Sequence, residues 1–181
     1  TFLFADMIEP GSMLWQYLSE TQRQLVTDGV ALIEDRRRHP NEALSDYSYL
    51  VFPFAKLYEG FLKQLFRDLG IIHERDYEST HFRLGKVLSP NLVRRLRGRS
   101  AYGTVTARFG AVLAEHLWST WKQGRNLVFH YFPHNVRRLS FLEAQDIILM
   151  IVETMSEAVK VMKPVKREHI RQVAVASYSA I

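Results

Sequence analysis

The chain of 181 residues contains no cysteine. That excludes a disulfide framework, a thiolate metal site and a cysteine nucleophile. The absence fits a reducing compartment, and a cytoplasmic location is the expectation, although cysteine-free chains occur elsewhere too. No apolar run approaches the ~20 residues that a membrane span needs. Thr1-Phe2-Leu3-Phe4-Ala5-Asp6 is too short and too acidic for a signal peptide, so no membrane association is expected. Among seven histidines none shows the His-Glu-x-x-His spacing of a zinc site. A phosphate-cradling Gly-rich loop and a Gly-x-Ser-x-Gly elbow are also missing. No metal or other cofactor is expected. There is no internal repeat and no low-complexity segment.

Apolar residues make up 47% of the chain, which places it among globular proteins. The length suits one domain over 1–181, with a core at about 44–163 and a tail at 164–181. The chain begins without Met, which suggests a piece of a longer protein. The net charge of +5 favours polyanions as partners over acidic proteins.

The periodicity throughout is helical. Residues 1–10 form an apolar leader with no clear period. Ser12 offers an N-cap, with Glu20 and Gln22 too far on to complete a capping box. From Met13 a helical pattern runs through Leu14, Tyr17, Leu18, Leu25, Val26, Val30 and Ile33 to Arg36-Arg37-Arg38, cations placed at a negative helix end. These arginines read as a solvated terminus or as phosphate contacts. After a turn at Pro40-Asn41, a second helix is expected over about 44–69. Its stripe is Leu50, Phe54, Leu57, Tyr58, Phe61, Leu62, Leu65 and Leu69, Pro53 kinks it or marks its first turn, and Gly70 is its C-cap. Glu59 and Lys63 lie four apart on its flank and read as an ordinary surface ion pair.

A charged connector at 71–80 leads to two short helices at about 81–88 and 90–96. Arg94, Arg95, Arg97 and Arg99 then form the densest basic cluster, in a loop bounded by Gly98 and Gly103. Such a loop can track a phosphate backbone or simply keep the surface soluble. No aromatic is interleaved among the arginines, and Tyr102 is the nearest stacking candidate. Near the C-terminus, Ser140 and Glu143 form a capping box for a last helix carrying Ile147, Ile148, Ile151, Val152, Met155, Val159 and Met162, which Pro164 ends. The tail reads as a strand, an arm or a disordered segment.

Between these lies the stretch from Trp118 to Pro133, expected to close a long helix over about 106–132. A helix advances about 100° per residue. From Phe109, the residues Val112, Leu113, Leu117, Leu127 and Val128 then fall in one core-facing arc, with Gly124 among them to admit a close neighbour. Arg125, Asn126 and His130 fall opposite, Asn126 and His130 nearly superposed and Arg125 about 140° from His130. Trp118 and Phe129 share that outer face, which suggests a second buried surface such as a dimer interface. By residue type alone, His130 reads as a cation at a helix C-terminus and Arg125 as a solvated side chain. The same types also suit phosphate chemistry. His130 can be acid or base, Arg125 a fork for phosphate, and Asn126 a group that orients either.

Arg125-Asn126, three residues and His130, preceded by Trp121-Lys122 and followed by an apolar helix, resembles the motif of the HEPN superfamily. The likeness extends from about Tyr47 to Lys163. Leu57-Tyr58-Glu59-Gly60-Phe61-Leu62-Lys63 resembles a helix of its RNase LS-type toxin branch, in which an acidic residue joins the Arg and His. The resemblance implies an all-α, HEPN-like bundle of four to five main helices with short extra helices. It implies a homodimer with two motifs facing each other, and metal-independent endoribonuclease activity in a toxin or defence effector held by an antitoxin. It also implies Arg125, His130, Asn126 and Glu59 as the catalytic group, with Lys63 beside them. The alternatives that the residues leave open are a non-catalytic RNA- or protein-binding module and a helical dimerisation domain.

Overall fold

The computed structural model describes residues 8–40 and 43–166. The expectations for 1–7, for Asn41 and for the tail at 167–181 lie outside the described residues. Within them the fold is all-α, with no strand. The segments are α1 (Met13–Tyr17), α2 (Glu20–Arg38), α3 (Ser48–Asp68), α4 (Glu74–Glu78), α5 (Leu84–Val87), α6 (Val93–Leu96), α7 (Ala101–Phe109), α8 (Ala111–Trp121) and α9 (Phe141–Met162). Nine α-helical segments among the described residues replace the expected four to five main helices with short extras, because two long periodic stretches are each broken in two and the stretch 71–80, expected as a connector, carries α4.

The first break follows Tyr17. Ser19 accepts a hydrogen bond from the Gln22 backbone, and the Gln22 side chain accepts one from the Ser19 N–H at 3.0 Å. Gln22 therefore completes a capping box after all, with Ser19 rather than Ser12. The second break is Gly110, whose φ of 99° is open to glycine and strained for other residues. It separates α7 from α8 and resets the helical phase. As a result Val112, expected in the core arc, is 68% exposed, while Leu113 and Leu117 are buried as expected.

The central helix is α3. Its apolar stripe from Leu50 to Leu65 is buried, each such side chain contributing about 1.5–3 kcal/mol. Gly70, at φ 67°, ends it: the Ile71 N–H reaches the Phe66 carbonyl at 2.7 Å and the Gly70 N–H the Arg67 carbonyl at 3.0 Å. Pro53 sits inside the helix, near its start. On one side α3 packs against α2, where Gly29 lets the Phe54 ring approach so closely that a Cβ would lie 2.4 Å from it. On the other it packs against α9, which is capped by Ser140 and Glu143 as its sequence indicates. The Tyr58 hydroxyl crosses to the Leu117 carbonyl at 2.9 Å and ties α3 to α8. No helix among the described residues is long and apolar enough to cross a membrane.

Candidate functional site

Beyond Trp121 the helix changes pitch. The Leu127 N–H bonds to the Lys122 carbonyl at 2.9 Å, five residues back, so Lys122–Asn126 form a π-helical turn. Such turns insert one residue into the helical phase and are frequent at functional sites. Gly124 lies on its inner side, where a Cβ would stand 2.9 Å from Ile151 Cδ1 and 3.0 Å from Cγ1. The close approach expected at Gly124 is therefore present, and its neighbour is α9.

On the outer side the turn presents Arg125. Its Nε donates to Glu59 Oε2 at 3.4 Å, and its guanidinium lies over the Trp121 ring at 5.5 Å. Glu59 Oε1 pairs with Lys63 Nζ at 3.5 Å. One carboxylate on α3 thus holds two cations, one from its own helix and one from 66 residues further along the chain. The side chains of Glu59 and Lys63 are 29% and 22% exposed, and that of Arg125 is 40% exposed, so all three remain open to a ligand from solvent. Beside Glu59 a groove of about 670 Å³ opens, lined among others by Gln22, Lys56, Lys63 and Tyr77.

The expected helix to residue 132 stops early. The π turn ends at Asn126, and His130 stands in a bend beyond it, not on a helix face. Asn126 and His130 are therefore not two side chains stacked on one helix. The contact is made instead by His130 Nδ1 with the backbone carbonyl of Asn126, one of the last carbonyls of the helix. Among the described residues His130 makes no hydrogen bond to Arg125 or Glu59. Phe129 is 40% exposed and meets Phe52, 55% exposed, edge to face at 5.8 Å. Trp118 is half-buried against the core rather than lying free beside Phe129.

The segment after His130 is tied to the front of α3 through Asp46. Its carboxylate accepts from the Ser48 hydroxyl at 2.5 Å and the Ser48 N–H at 2.9 Å, and from the Leu139 N–H and Asn135 Nδ2 at 3.2 Å each. Partial burial pushes its pKa up, but these donors together outweigh burial and hold it below the usual carboxylate range. A carboxyl group with a lowered pKa in the folded state stabilises the fold above its unfolded value near 3.9, and that contribution disappears as pH falls through the folded value. Asp46→Asn is therefore expected to lower stability by about 1 kcal/mol at neutral pH, allowing for solvent screening of a half-exposed group. Thermal melts should show the gap to the unaltered chain closing below about pH 4. A gap independent of pH would show that the charge of Asp46 does not hold this loop.

Arg94, Arg95, Arg97 and Arg99 are all exposed. Among the described residues none forms an ion pair with Glu59 or a hydrogen bond to the motif. Arg99 lines a cavity formed with α4 and α5, whereas Arg94, Arg95 and Arg97 do not. Lys56 and Tyr77 of the groove, and Trp121 beneath Arg125, were not singled out as site residues by their sequence positions. No group of three His, Cys, Asp or Glu side chains that could hold a metal occurs among the described residues. No family model, curated protein or solved structure matches the chain. The functional reading accordingly rests on the arrangement of its own side chains.

Proposed function

We propose that the chain is a HEPN-like endoribonuclease domain, a toxin or defence effector of the cytoplasm that cleaves RNA through attack by the 2′-hydroxyl. The observation that carries the reading is the meeting of Arg125 with Glu59. The arginine of an Arg-Asn-x-x-x-His motif and a carboxylate from a distant helix share an open edge, on a π turn.

RNA supplies its own nucleophile, so the protein must move two protons and neutralise one developing charge. A carbonyl oxygen only accepts, so His130 Nδ1 must be the protonated nitrogen at the Asn126 carbonyl. The neutral ring then offers the Nε2 lone pair as a base for the 2′-hydroxyl proton. The 2′-oxygen bonds to phosphorus as the bond to the 5′-oxygen breaks. Arg125, held at Nε by Glu59, keeps its terminal N–H groups for the phosphorane oxygens. An acid must protonate the leaving 5′-oxygen, and in a two-fold dimer a second His130 would serve. Phe52 and Phe129 are the apolar exposed pair through which two copies could meet. Lys63, Arg94, Arg95, Arg97 and Arg99 would bind the RNA strand, and a protein antitoxin would cover the site. The products would carry 2′,3′-cyclic phosphate and 5′-hydroxyl ends.

One observation favours a second reading, a non-catalytic RNA-binding, protein-binding or dimerisation module: His130 is bonded to backbone and not to Arg125 or Glu59. Incubation with RNA in excess EDTA, followed by mapping of the ends, separates the two. Cleavage that persists in EDTA and leaves cyclic phosphate ends is expected. RNA binding without cleavage by a folded dimer would favour the module.

A further inference from the structure

We propose that the cavity between α4, α5 and the turn after α6 binds a phosphate monoester carried on a compact apolar body. The cavity encloses about 430 Å³, within the range of small-molecule sites. Four permanent cations line it: Arg75, Arg83, Lys86 and Arg99. They come from three places in the chain, Arg75 on α4, Arg83 and Lys86 at α5 and Arg99 after α6, and the three converge in the fold. Among the described residues, none of the four has an ion pair or a hydrogen bond to a carboxylate. The one carboxylate in the lining is Asp76, and its Oδ2 accepts the His73 backbone N–H at 3.3 Å. Four cations against one carboxylate leave a net positive charge that repels itself, and a dianion relieves that repulsion while engaging several donors at once.

The floor differs from the rim. Ile72 and Leu96 are buried there, and Phe82 is half-buried. An inorganic anion would leave this apolar surface uncovered, whereas an ester with an apolar or aromatic body would cover it. The turn after α6 explains which arginines take part. Arg97 has φ 50°, and after this reversal Arg99 lines the cavity while Arg94, Arg95 and Arg97 do not. The cavity shares only Arg99 with the ribonuclease reading, and none of Arg125, His130 and Glu59 lines it, so the proposal stands or falls separately from the cleavage chemistry.

The test is calorimetric titration of the whole chain with phenyl phosphate, inorganic phosphate and phenol. Phenyl phosphate is expected to bind with a dissociation constant of about 1 mM or tighter, phosphate about tenfold more weakly, and phenol not measurably. The double variant Arg83→Gln/Lys86→Gln should weaken phenyl phosphate at least about tenfold. Arg94→Gln/Arg95→Gln and His130→Ala should leave it unchanged. Circular dichroism confirms that each variant is folded, which the exposure of these side chains favours. No saturable heat up to about 10 mM would overturn the proposal, as would an unchanged affinity in the double variant. Competition by oligoribonucleotides identifies the source. Displacement by a 5′-phosphorylated strand and not by its 5′-hydroxyl twin assigns an RNA terminus. Displacement by neither assigns a small free phosphoester. Equal displacement by both would overturn recognition of a monoester.

Discussion

His130→Ala is expected to slow RNA cleavage by about 10²–10⁴-fold, the range for removal of a general acid or base. Its fold and RNA affinity should persist, because His130 is exposed. Arg125→Ala should cost about 10²–10³-fold by analogy with the loss of one oxyanion donor. Arg125→Lys should rescue little, since an ammonium lacks the planar fork that can meet Glu59 and a phosphate together. Glu59→Gln is the informative third variant. Glu59 touches no reacting atom in this geometry; it positions Arg125. An amide can still accept from Arg125 Nε but gives up the charge that also holds Lys63. A drop in single-turnover rate at saturating RNA, with an unchanged melting temperature, would identify a positioning role. A drop that follows melting temperature would reduce the pair to a surface contact worth about 0–1 kcal/mol. Cleavage at an unaltered rate by His130→Ala would take His130 out of the mechanism and overturn the 2′-hydroxyl chemistry assigned to it.

The reach of the sequence over this site follows from how local each cause is. The α3 stripe, Gly70 as its terminator and the Ser140–Glu143 box are written within a few residues of where they act, and each is present. The contact at Gly124 was also legible, because a glycine on an apolar arc has few other uses. The two helix breaks were not. Leu18 and Leu25 keep a helical period across the step at Ser19, and nothing in Phe109-Gly110-Ala111 declares that the glycine adopts φ 99°. The π turn was hidden for a related reason. It also ends the helix at Asn126, so His130 falls in a bend rather than on the face where 3.6-residue geometry put it. Long-range chemistry leaves even less trace. Glu59 and Arg125 are 66 residues apart, and spacing alone marks Glu59 only as half of the i,i+4 pair that it does form with Lys63; the family resemblance, not the local pattern, joins it to Arg125. Arg83 and Lys86 are three apart, but Arg75 and Arg99 lie 8 and 13 residues from that pair, so no short window of sequence shows all four as a cluster.

The largest loss of stability is expected at Asp68, far from any motif. Its side chain is 0% exposed and that of Arg67 is 9% exposed, with the two in contact at 3.0 Å. The Tyr17 hydroxyl donates to the other carboxylate oxygen at 2.9 Å. Burial, and then the charge of Asp68, push the Tyr17 hydroxyl pKa strongly upward, so it stays a donor at any ordinary pH. Asp68→Ala would leave a buried guanidinium with Glu74, 3.8 Å away and 38% exposed at its side chain, as its remaining carboxylate. It would also leave the Tyr17 hydroxyl without its acceptor. Breaking a buried pair from one side costs about 3–5 kcal/mol. For a chain of this length that is a fall of roughly 10 °C in melting temperature. Asp68→Asn keeps an acceptor for Tyr17 and should lose less, which separates the charge from the hydrogen bond. The consequence extends to function, because the Arg67 guanidinium also lies over the Tyr77 ring at 4.2 Å and so fixes α4. Tyr77 lines the groove beside Glu59, while Arg75 and Asp76 of the same helix line the basic cavity. Arg67→Met, which removes the charge but keeps much of the volume, should therefore weaken phenyl phosphate binding even at temperatures where the chain is fully folded. Unchanged phosphate affinity in that variant would show that α4 holds its place without Arg67.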